Sequence, residues 1–479
     1  MRAALALLLA VTLAFHLATT PQGHGWGDDF AMYLAHARNL VEGRPYADTG
    51  YIYNPLAPRI GPEAYPPVFP LLLTLPVALA GIDVEAAKLM VTGLFMAMLL
   101  ALWWLARQRL EPLPALLVVA AAAYSPFLWV VRTNVVSEVA FTLFTLLALA
   151  WFPWAERRKL PWPAIGLVGG ALIALALGTR TVGALLLPAI AAAALWNTRR
   201  LDRGTLLALG VGGLALLGQL DMFGDYGRAL ATGGEDGSAP LDVMSRLPAR
   251  LMQLAVGVTQ AWAMDSAFWG AILSVAICLA TALGWLRAVR EGPGPAEAFI
   301  AGYGAMLLVV PFGADARRIM PLMPLIAVYA AMGLASLPRP AVRPAALAMV
   351  AALAASYFGS YQTLPVRAAV GGVDGDEATG LFRFARSTPV DSVFVFDKAR
   401  ALALYTGRSA APPHETADHA AFRKWLNEIG ADYVVLSPYS PDSLLAFLER
   451  ENLPVAFRNA HFIVFAFAGA HSAAQAAQP

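Results

Sequence analysis

Cysteine is almost missing from the 479 residues: Cys278 stands alone, so no intrachain disulfide and no cysteine metal cluster can form. Charge is scarce too, at 14% of residues against about 25% in a soluble domain. The net charge of +2 leaves no broad basic field for a nucleic-acid partner. The sequence also contains no P-loop, dinucleotide fingerprint, nucleophile elbow or zincin motif. What remains is a chain that is 58% hydrophobic, with the composition of an integral membrane protein.

The few basic residues are clustered. Arg107 and Arg109, Arg157 to Lys159, Arg199 to Arg203, Arg287 and Arg290, and Arg339 and Arg343 punctuate apolar runs nearly free of charge. Lys and Arg mark cytoplasmic loops, so these clusters fix the orientation. Runs long enough to cross a bilayer lie near 3–20, 86–106, 113–131, 137–154, 162–178, 181–196, 204–220, 267–286, 297–312, 319–337 and 342–360. They predict about eleven transmembrane helices, N-in and C-out, with the first run read as an uncleaved helix rather than a signal peptide. Residues 66–82 are also apolar, but a crossing there would flip all five basic clusters outside. With Pro66, Pro67, Pro70 and Pro76, this run is read as an interfacial element.

This map leaves residues 21–85, a turn at 132–136, a loop at 221–266 and everything after about 361 on the outer side. In the last segment strand-like runs at 391–397, 432–437 and 461–469 alternate with helix-like stretches at 376–387, 398–406, 416–429 and 441–451. That alternation predicts a small α/β domain, followed by a disordered tail "HSAAQAAQP". The expected architecture is a mainly α polytopic bundle over 1–360, with 21–85 as its first outer loop, and an extracytoplasmic α/β domain over 361–479.

Ionisable side chains avoid the middles of the spans and collect at the outer rim. Asp28, Asp29, Arg59, Arg132, Glu138, Arg180, Arg317 and Arg318 stand out there, in separate loops that helix packing could bring to a polar cavity beside lipid. An ion-coupled transporter usually keeps charges or broken helices at mid-membrane depth, so their absence argues against that class. A lipid or polysaccharide transporter remains the competing reading, since it shares the helix count and a lipid-facing groove. Activity on a carrier-linked sugar discriminates the two.

The sharpest local signal is "GWGDDFAMYLAHARNLVEGRPY". Residues 28–42 have helical spacing, Gly43 is a natural stop, and Asp29 falls in the first turn of a short amphipathic helix along the membrane. The bland alternatives are an N-cap for Asp28 and a favourable dipole contact for Asp29. Arg180 could be a snorkelling interfacial cation, Glu138 could pair with Arg132, and Arg317 and Arg318 could anchor to lipid phosphates. His24, His36 and Asp28 have metal-ligand chemistry but no recognised spacing, so no metal site is assigned.

These residues resemble the GT-C superfamily of membrane glycosyltransferases, in particular the bacterial aminoarabinose transferase and protein O-mannosyltransferase group. The likeness runs through "GDDFAMYLAHARNLVEGRPY", where Asp29, Tyr33, Arg38 and Gly43 match the acidic, Tyr, Arg and Gly pattern. It continues in order through "YPPVFPLLL", "SEVAFTLF", "GTRTVGALLLP" and "ARRIMPLMPL". Two departures stand out: "AYPPV" lacks the Lys that aminoarabinose enzymes place there, and the second acidic position is Glu138 instead of Asp.

The resemblance implies inverting transfer of a sugar from a polyprenyl-phosphate donor to a lipid, glycan or protein acceptor, on the outer face of the cytoplasmic membrane. No cofactor is indicated, although a divalent cation would be compatible. A carboxylate must take the acceptor's proton; Asp29 is the expected base, with Asp28 and Glu138 as the other candidate catalytic acids. Arg59, Arg180 and Arg317 suit a leaving phosphate. Tyr33, Tyr65, Arg132 and Arg318 complete the expected substrate-binding set.

Overall fold

The computed structural model describes residues 1–57, 61–222, 243–263, 267–309, 316–366, 371–414 and 418–467. Arg59, the predicted tail and parts of the 221–266 loop lie outside them.

The helices through the first half are α1 (Arg2–Thr19), α2 (Asp29–Glu42), α3 (Val68–Ala80), α4 (Val84–Ala106), α5 (Pro112–Ala123), α6 (Pro126–Arg132), α7 (Glu138–Arg157), α8 (Trp162–Leu177), α9 (Leu186–Thr198) and α10 (Arg203–Leu217). Those that follow are α11 (Val243–Trp262), α12 (Ala267–Glu291), α13 (Pro295–Val309), α14 (Ala316–Ile319), α15 (Met323–Ala335), α16 (Arg339–Thr363), α17 (Asp376–Ser387), α18 (Ala399–Thr406), α19 (His419–Glu428) and α20 (Asp442–Glu451). The strands are β1 (Val393–Val395), β2 (Ser409–Ala411), β3 (Tyr433–Leu436), β4 (Val455–Arg458) and β5 (Ile463–Ala466).

Among the described residues each of the eleven predicted spans falls on helix, with residues 310–312 of the span 297–312 outside them. Among the described residues seven helices are long and apolar enough to cross a membrane, eight when the bent pair α5–α6 is one span. That pair turns through 56° where Pro126 follows Ser125, so the predicted span 113–131 is broken. Pro has no N–H to continue the ladder, and Ser125 Oγ accepts from Leu128 N to start a new helix. Helices α8, α10 and α13 are shorter, at 15 or 16 residues. The interfacial run 66–82 is the 13-residue α3, about 20 Å long and short of a bilayer core. Within 221–266, read as loop, residues Val243–Trp262 are helical.

Two compact units emerge. One comprises Met1–Pro21, Pro66–Phe69 and Lys88–Arg367; the other comprises Gln22–Tyr65, Pro70–Ala87 and Ala368–Pro479. The second unit thus takes in residues 22–65 as well as the segment from Ala368 onward.

The first unit is a helical bundle held by small-residue contacts. A Cβ on Gly284 of α12 would lie 1.9 Å from the Tyr329 carbonyl oxygen, and one on Gly333 of α15 would lie 1.9 Å from that of Ala280. These two helices touch backbone to backbone, an approach only glycine permits. Near the α4–α5 turn, buried Glu297 takes Arg109 at 2.6 Å and the Tyr329 hydroxyl at 2.6 Å.

The second unit is built on a five-stranded sheet of order β2-β1-β3-β5-β4. Strands β1, β2 and β3 are parallel neighbours, and β5 runs antiparallel to β3 and β4. The segment after α2 joins this sheet: Tyr51 bridges Ala410 in parallel, with Ile52 N donating to Ala410 O and Ala410 N to Gly50 O. One face is packed by Phe422, Trp425, Leu426, Phe447 and Leu448 from α19 and α20.

Candidate functional site

In the α/β unit the chain leaves β1 for β2 on one side and reaches β3 on the other. The crevice at the carboxyl ends of β1 and β3 is thus the switch point where such sheets hold ligands. Helix α18 starts there, and Arg400 lies in its first turn. Its guanidinium is buried, with a side-chain exposure of 6%. It lies 3.5 Å from Asp28 Oδ2 and 3.4 Å from Asp29 Oδ1, and it donates to the Tyr65 hydroxyl at 2.7 Å. Tyr65 in turn donates to Asp29 Oδ1 at 2.8 Å. Arg400 also faces the rings of Tyr51 and Tyr65, at 5.1 and 5.3 Å from their centroids.

The electrostatics follow from that packing. Burial works against the Arg400 cation, but Tyr65, Asp28, Tyr51 and Asp29 outweigh it and hold its pKa above the ordinary value. Burial, reinforced by the Asp29 charge, pushes the Tyr65 phenol up, so it stays protonated as a donor. Asp28 occupies the N-cap position of α2 but makes no side-chain capping bond. Its carboxylate turns to Arg400 instead, which sets aside the capping explanation.

Local sequence fixes the acid pair. Gly43 ends α2 at φ +66°, where its N–H bonds Asn39 O. The Asn39 amide then donates to the carbonyls of Pro45, Tyr46 and Asp48, tying the following loop to the helix. Tyr33 is buried edge-on against Tyr65 at 5.2 Å. His36 stacks on Tyr46 at 3.9 Å and donates from Nδ1 to its carbonyl. Burial lowers its pKa to about 4, so it is neutral at physiological pH. His24 stacks on Phe30, and among the described residues no group of three or more His, Cys, Asp or Glu could hold a metal.

A second cluster lies in the helical unit. Glu138, buried at the start of α7, accepts Arg180 Nη1 at 2.7 Å, and Arg317 Nε reaches the same oxygen. Arg180 also donates to Ser137 Oγ at 3.3 Å. Both guanidinium groups thus share one carboxylate oxygen. The cations keep 31% and 42% of their side-chain surface exposed while the acid keeps 1%, so the positive groups are the ones presented. Arg180 is therefore ion-paired, not merely snorkelling.

Other expectations are redistributed. Glu138 does not pair with Arg132: α6 carries that side chain into full burial, where Nη1 donates to Thr20 and Thr92 hydroxyls at 2.7 and 3.3 Å. The Arg318 carbonyl accepts from the Tyr303 hydroxyl at 2.9 Å. Arg400 was missed by sequence reasoning. Its signal, an Arg two residues into a helix after a buried strand, is visible only once the sheet topology is known.

Comparison with known proteins agrees with this architecture. Residues 64–219 match the family described as Dolichyl-phosphate-mannose-protein mannosyltransferase. No curated protein sequence matches the chain. Among solved structures, ArnT from Cupriavidus metallidurans in the apo state is similar over 99% of this chain and 98% of its own, with 16% identity and a TM-score of 0.61. The same protein bound to undecaprenyl phosphate gives 14% identity, coverages of 97% and 98%, and a TM-score of 0.59. The Archaeoglobus fulgidus oligosaccharyltransferase complexed with Zn and sulfate is similar over 90% of this chain and 68% of its own, with 15% identity and a TM-score of 0.62. The chain therefore shares its fold with these membrane transferases, and about a third of it matches the mannosyltransferase family.

Proposed function

We propose that the protein transfers a sugar from a polyprenyl-phosphate carrier to an acceptor hydroxyl on the extracytoplasmic face of the cytoplasmic membrane. The observation that carries this reading is the acid pair itself: Asp29 sits at the start of an amphipathic helix, oriented by Tyr65 and by the buried Arg400. A hydroxyl is a poor nucleophile at neutral pH, so Asp29 takes its proton as the acceptor oxygen bonds the anomeric carbon. The bond from that carbon to the phosphate oxygen breaks, its electron pair leaves with polyprenyl phosphate, and the anomeric configuration inverts.

Asp28 balances the other side of Arg400 and keeps that cation from fully neutralising Asp29. In the helical unit, Glu138 fixes Arg180 and Arg317, guanidinium groups suited to binding a phosphate. No cofactor is assigned to these steps. The likeness to a protein solved with undecaprenyl phosphate supports the choice of carrier. The test is to incubate purified protein with polyprenyl-phosphate sugars and candidate acceptors and to measure released polyprenyl phosphate. Absence of release across hexose and pentose donors would refute the reading.

A further inference from the structure

Helices α8 and α10 run parallel and touch along their lengths. A Cβ on Gly166 would lie 2.6 Å from Leu207 Cβ, one on Gly170 2.6 Å from Val211 Cβ, and one on Gly212 2.7 Å from Ile173 Cγ2. The contacts climb both helices together, so the turns that lead into them, 158–161 and 199–202, lie side by side. These turns and their flanks carry Arg157, Arg158, Lys159, Arg199, Arg200 and Arg203, all exposed. Among the described residues none of the six is ion-paired with a carboxylate. Only two acids accompany them. Asp202 is committed to capping α10, accepting from Gly204 N, Thr205 N and the Thr205 hydroxyl. Glu156 joins Asp202, Arg157 and Asn197 in the wall of a cavity of about 320 Å³.

Two of the cations stand where the backbone favours glycine. Lys159 has φ 53° and Arg199 φ 57°, and among the described residues the other non-glycine with positive φ is Asn452. A Cβ is strained in that left-handed region, which asparagine tolerates and long cations do not seek. The strain is therefore borne twice at one end of the bundle, each time beneath a basic side chain. That end also carries exposed Trp162, the first residue of α8, and exposed Trp196, three residues before Arg199. Tryptophan beside Lys and Arg is the signature of the head-group layer. Helices α8 and α10, of 16 and 15 residues, rise about 24 and 22 Å, short of a ~30 Å hydrocarbon core. Their turns are thus drawn into the polar boundary of the bilayer instead of standing clear of it.

We propose that the paired turns bind the head group of an anionic phospholipid, the phosphate on their cations and a glycerol hydroxyl donating to Glu156 in the cavity wall. Phosphatidylglycerol has this chemistry: one negative charge, followed by hydroxyl donors. A zwitterionic head group brings no net charge to a surface on which cations outnumber acids, so it binds more weakly. None of these residues takes part in the transfer proposed above, and the lipid is a bound partner, not a substrate.

The test titrates purified full-length protein in detergent with phosphatidylglycerol, phosphatidylethanolamine, phosphatidylcholine and phosphatidic acid, and reads bound lipid by native mass spectrometry. The wild type favours phosphatidylglycerol over both zwitterionic lipids. Each surface cation contributes about fivefold, so Lys159→Gly with Arg199→Gly weakens phosphatidylglycerol about twenty-five-fold and leaves phosphatidylcholine unchanged. Glycine suits both left-handed positions, so the thermal midpoint of this variant does not fall below wild type and the loss is one of binding, not of fold. Glu156→Ala narrows the preference for phosphatidylglycerol over phosphatidic acid, which lacks the glycerol hydroxyls; an unchanged ratio overturns that contact. Arg339→Gln with Arg343→Gln removes as many charges from the start of α16 and has a much smaller effect. Equal losses from the two double variants would reveal a diffuse basic surface and overturn the site. Equal affinity for phosphatidylethanolamine, or competition by soluble glycerol phosphate as strong as by the lipid, overturns the choice of an anionic phospholipid.

Discussion

Replacing Arg400 by Gln removes the cation that Asp28 and Asp29 share. The guanidinium is 6% exposed and sits 3.4–3.5 Å from both carboxylates, so two acids are left facing each other beside a protonated phenol. Breaking a buried pair costs about 3–5 kcal/mol. Because Asp28 and Asp29 keep 15% and 31% of their side-chain surface, solvent screening reduces that to about 2 kcal/mol. This is a visible fall in thermal midpoint but short of unfolding. The larger effect is on turnover: Tyr65 loses its anchor, Asp29 loses its orientation, and misplacement of a catalytic group by about 1 Å costs about a hundredfold in rate. A carboxylate deprived of an adjacent cation also takes up protons more readily, so the acid limb of the rate profile moves to higher pH. Arg400→Lys keeps the charge, loses the forked contacts and falls between. The assay is release of polyprenyl phosphate from a carrier-linked sugar across pH, with melting recorded alongside. Wild-type turnover and an unmoved acid limb in a folded Arg400→Gln protein would refute this reasoning.

Asp29→Asn is expected to abolish transfer while preserving the melting curve, since it removes the proton acceptor at nearly constant volume; near-normal turnover removes Asp29 from that role. Arg180→Gln deprives the Glu138 cluster of one charge-assisted bond and raises donor KM by about tenfold or more, whereas unchanged donor kinetics would return Arg180 to a structural role. His36 is buried with its pKa near 4 against an ordinary 6.5. The unfolded chain therefore takes up a proton first, and stability is lost as pH falls from about 6.5 toward 4, by about 3 kcal/mol. Unfolding midpoints across that window, compared with His36→Gln, measure the slope; identical slopes exclude His36 as its source.

Much of this was legible in the chain. The apolar runs became helices because nothing in them could satisfy a broken backbone inside lipid, and Gly43 ended α2 where a left-handed residue was required. Strands β1, β3 and β5 lie inside predicted runs of bulky apolar residues. The missed strands β2 and β4, "SAA" and "VAFR", are short edge strands whose pairing, not propensity, makes them strands. Helix α11 was hidden by Pro248 and its polar residues, which read as loop. The acid pair was found, but its partner Arg400 was not, because the contact depends on which strand follows which in the sheet. The alternative of a Glu138–Arg132 pair is set aside for a related reason: sequence proximity says nothing about which way the break after α6 turns each side chain.

The contact between Arg400 and Asp29 joins residues 371 positions apart. A ribosome adding about 5–20 residues per second needs roughly 20–70 s to cover that distance. Until then the acidic helix exists without its cation, and the strand-like Tyr51 segment has no sheet to join. On the proposed reading, a nascent or truncated polypeptide is therefore catalytically mute, and competence arrives as a late event of biosynthesis, after the membrane helices have already been made.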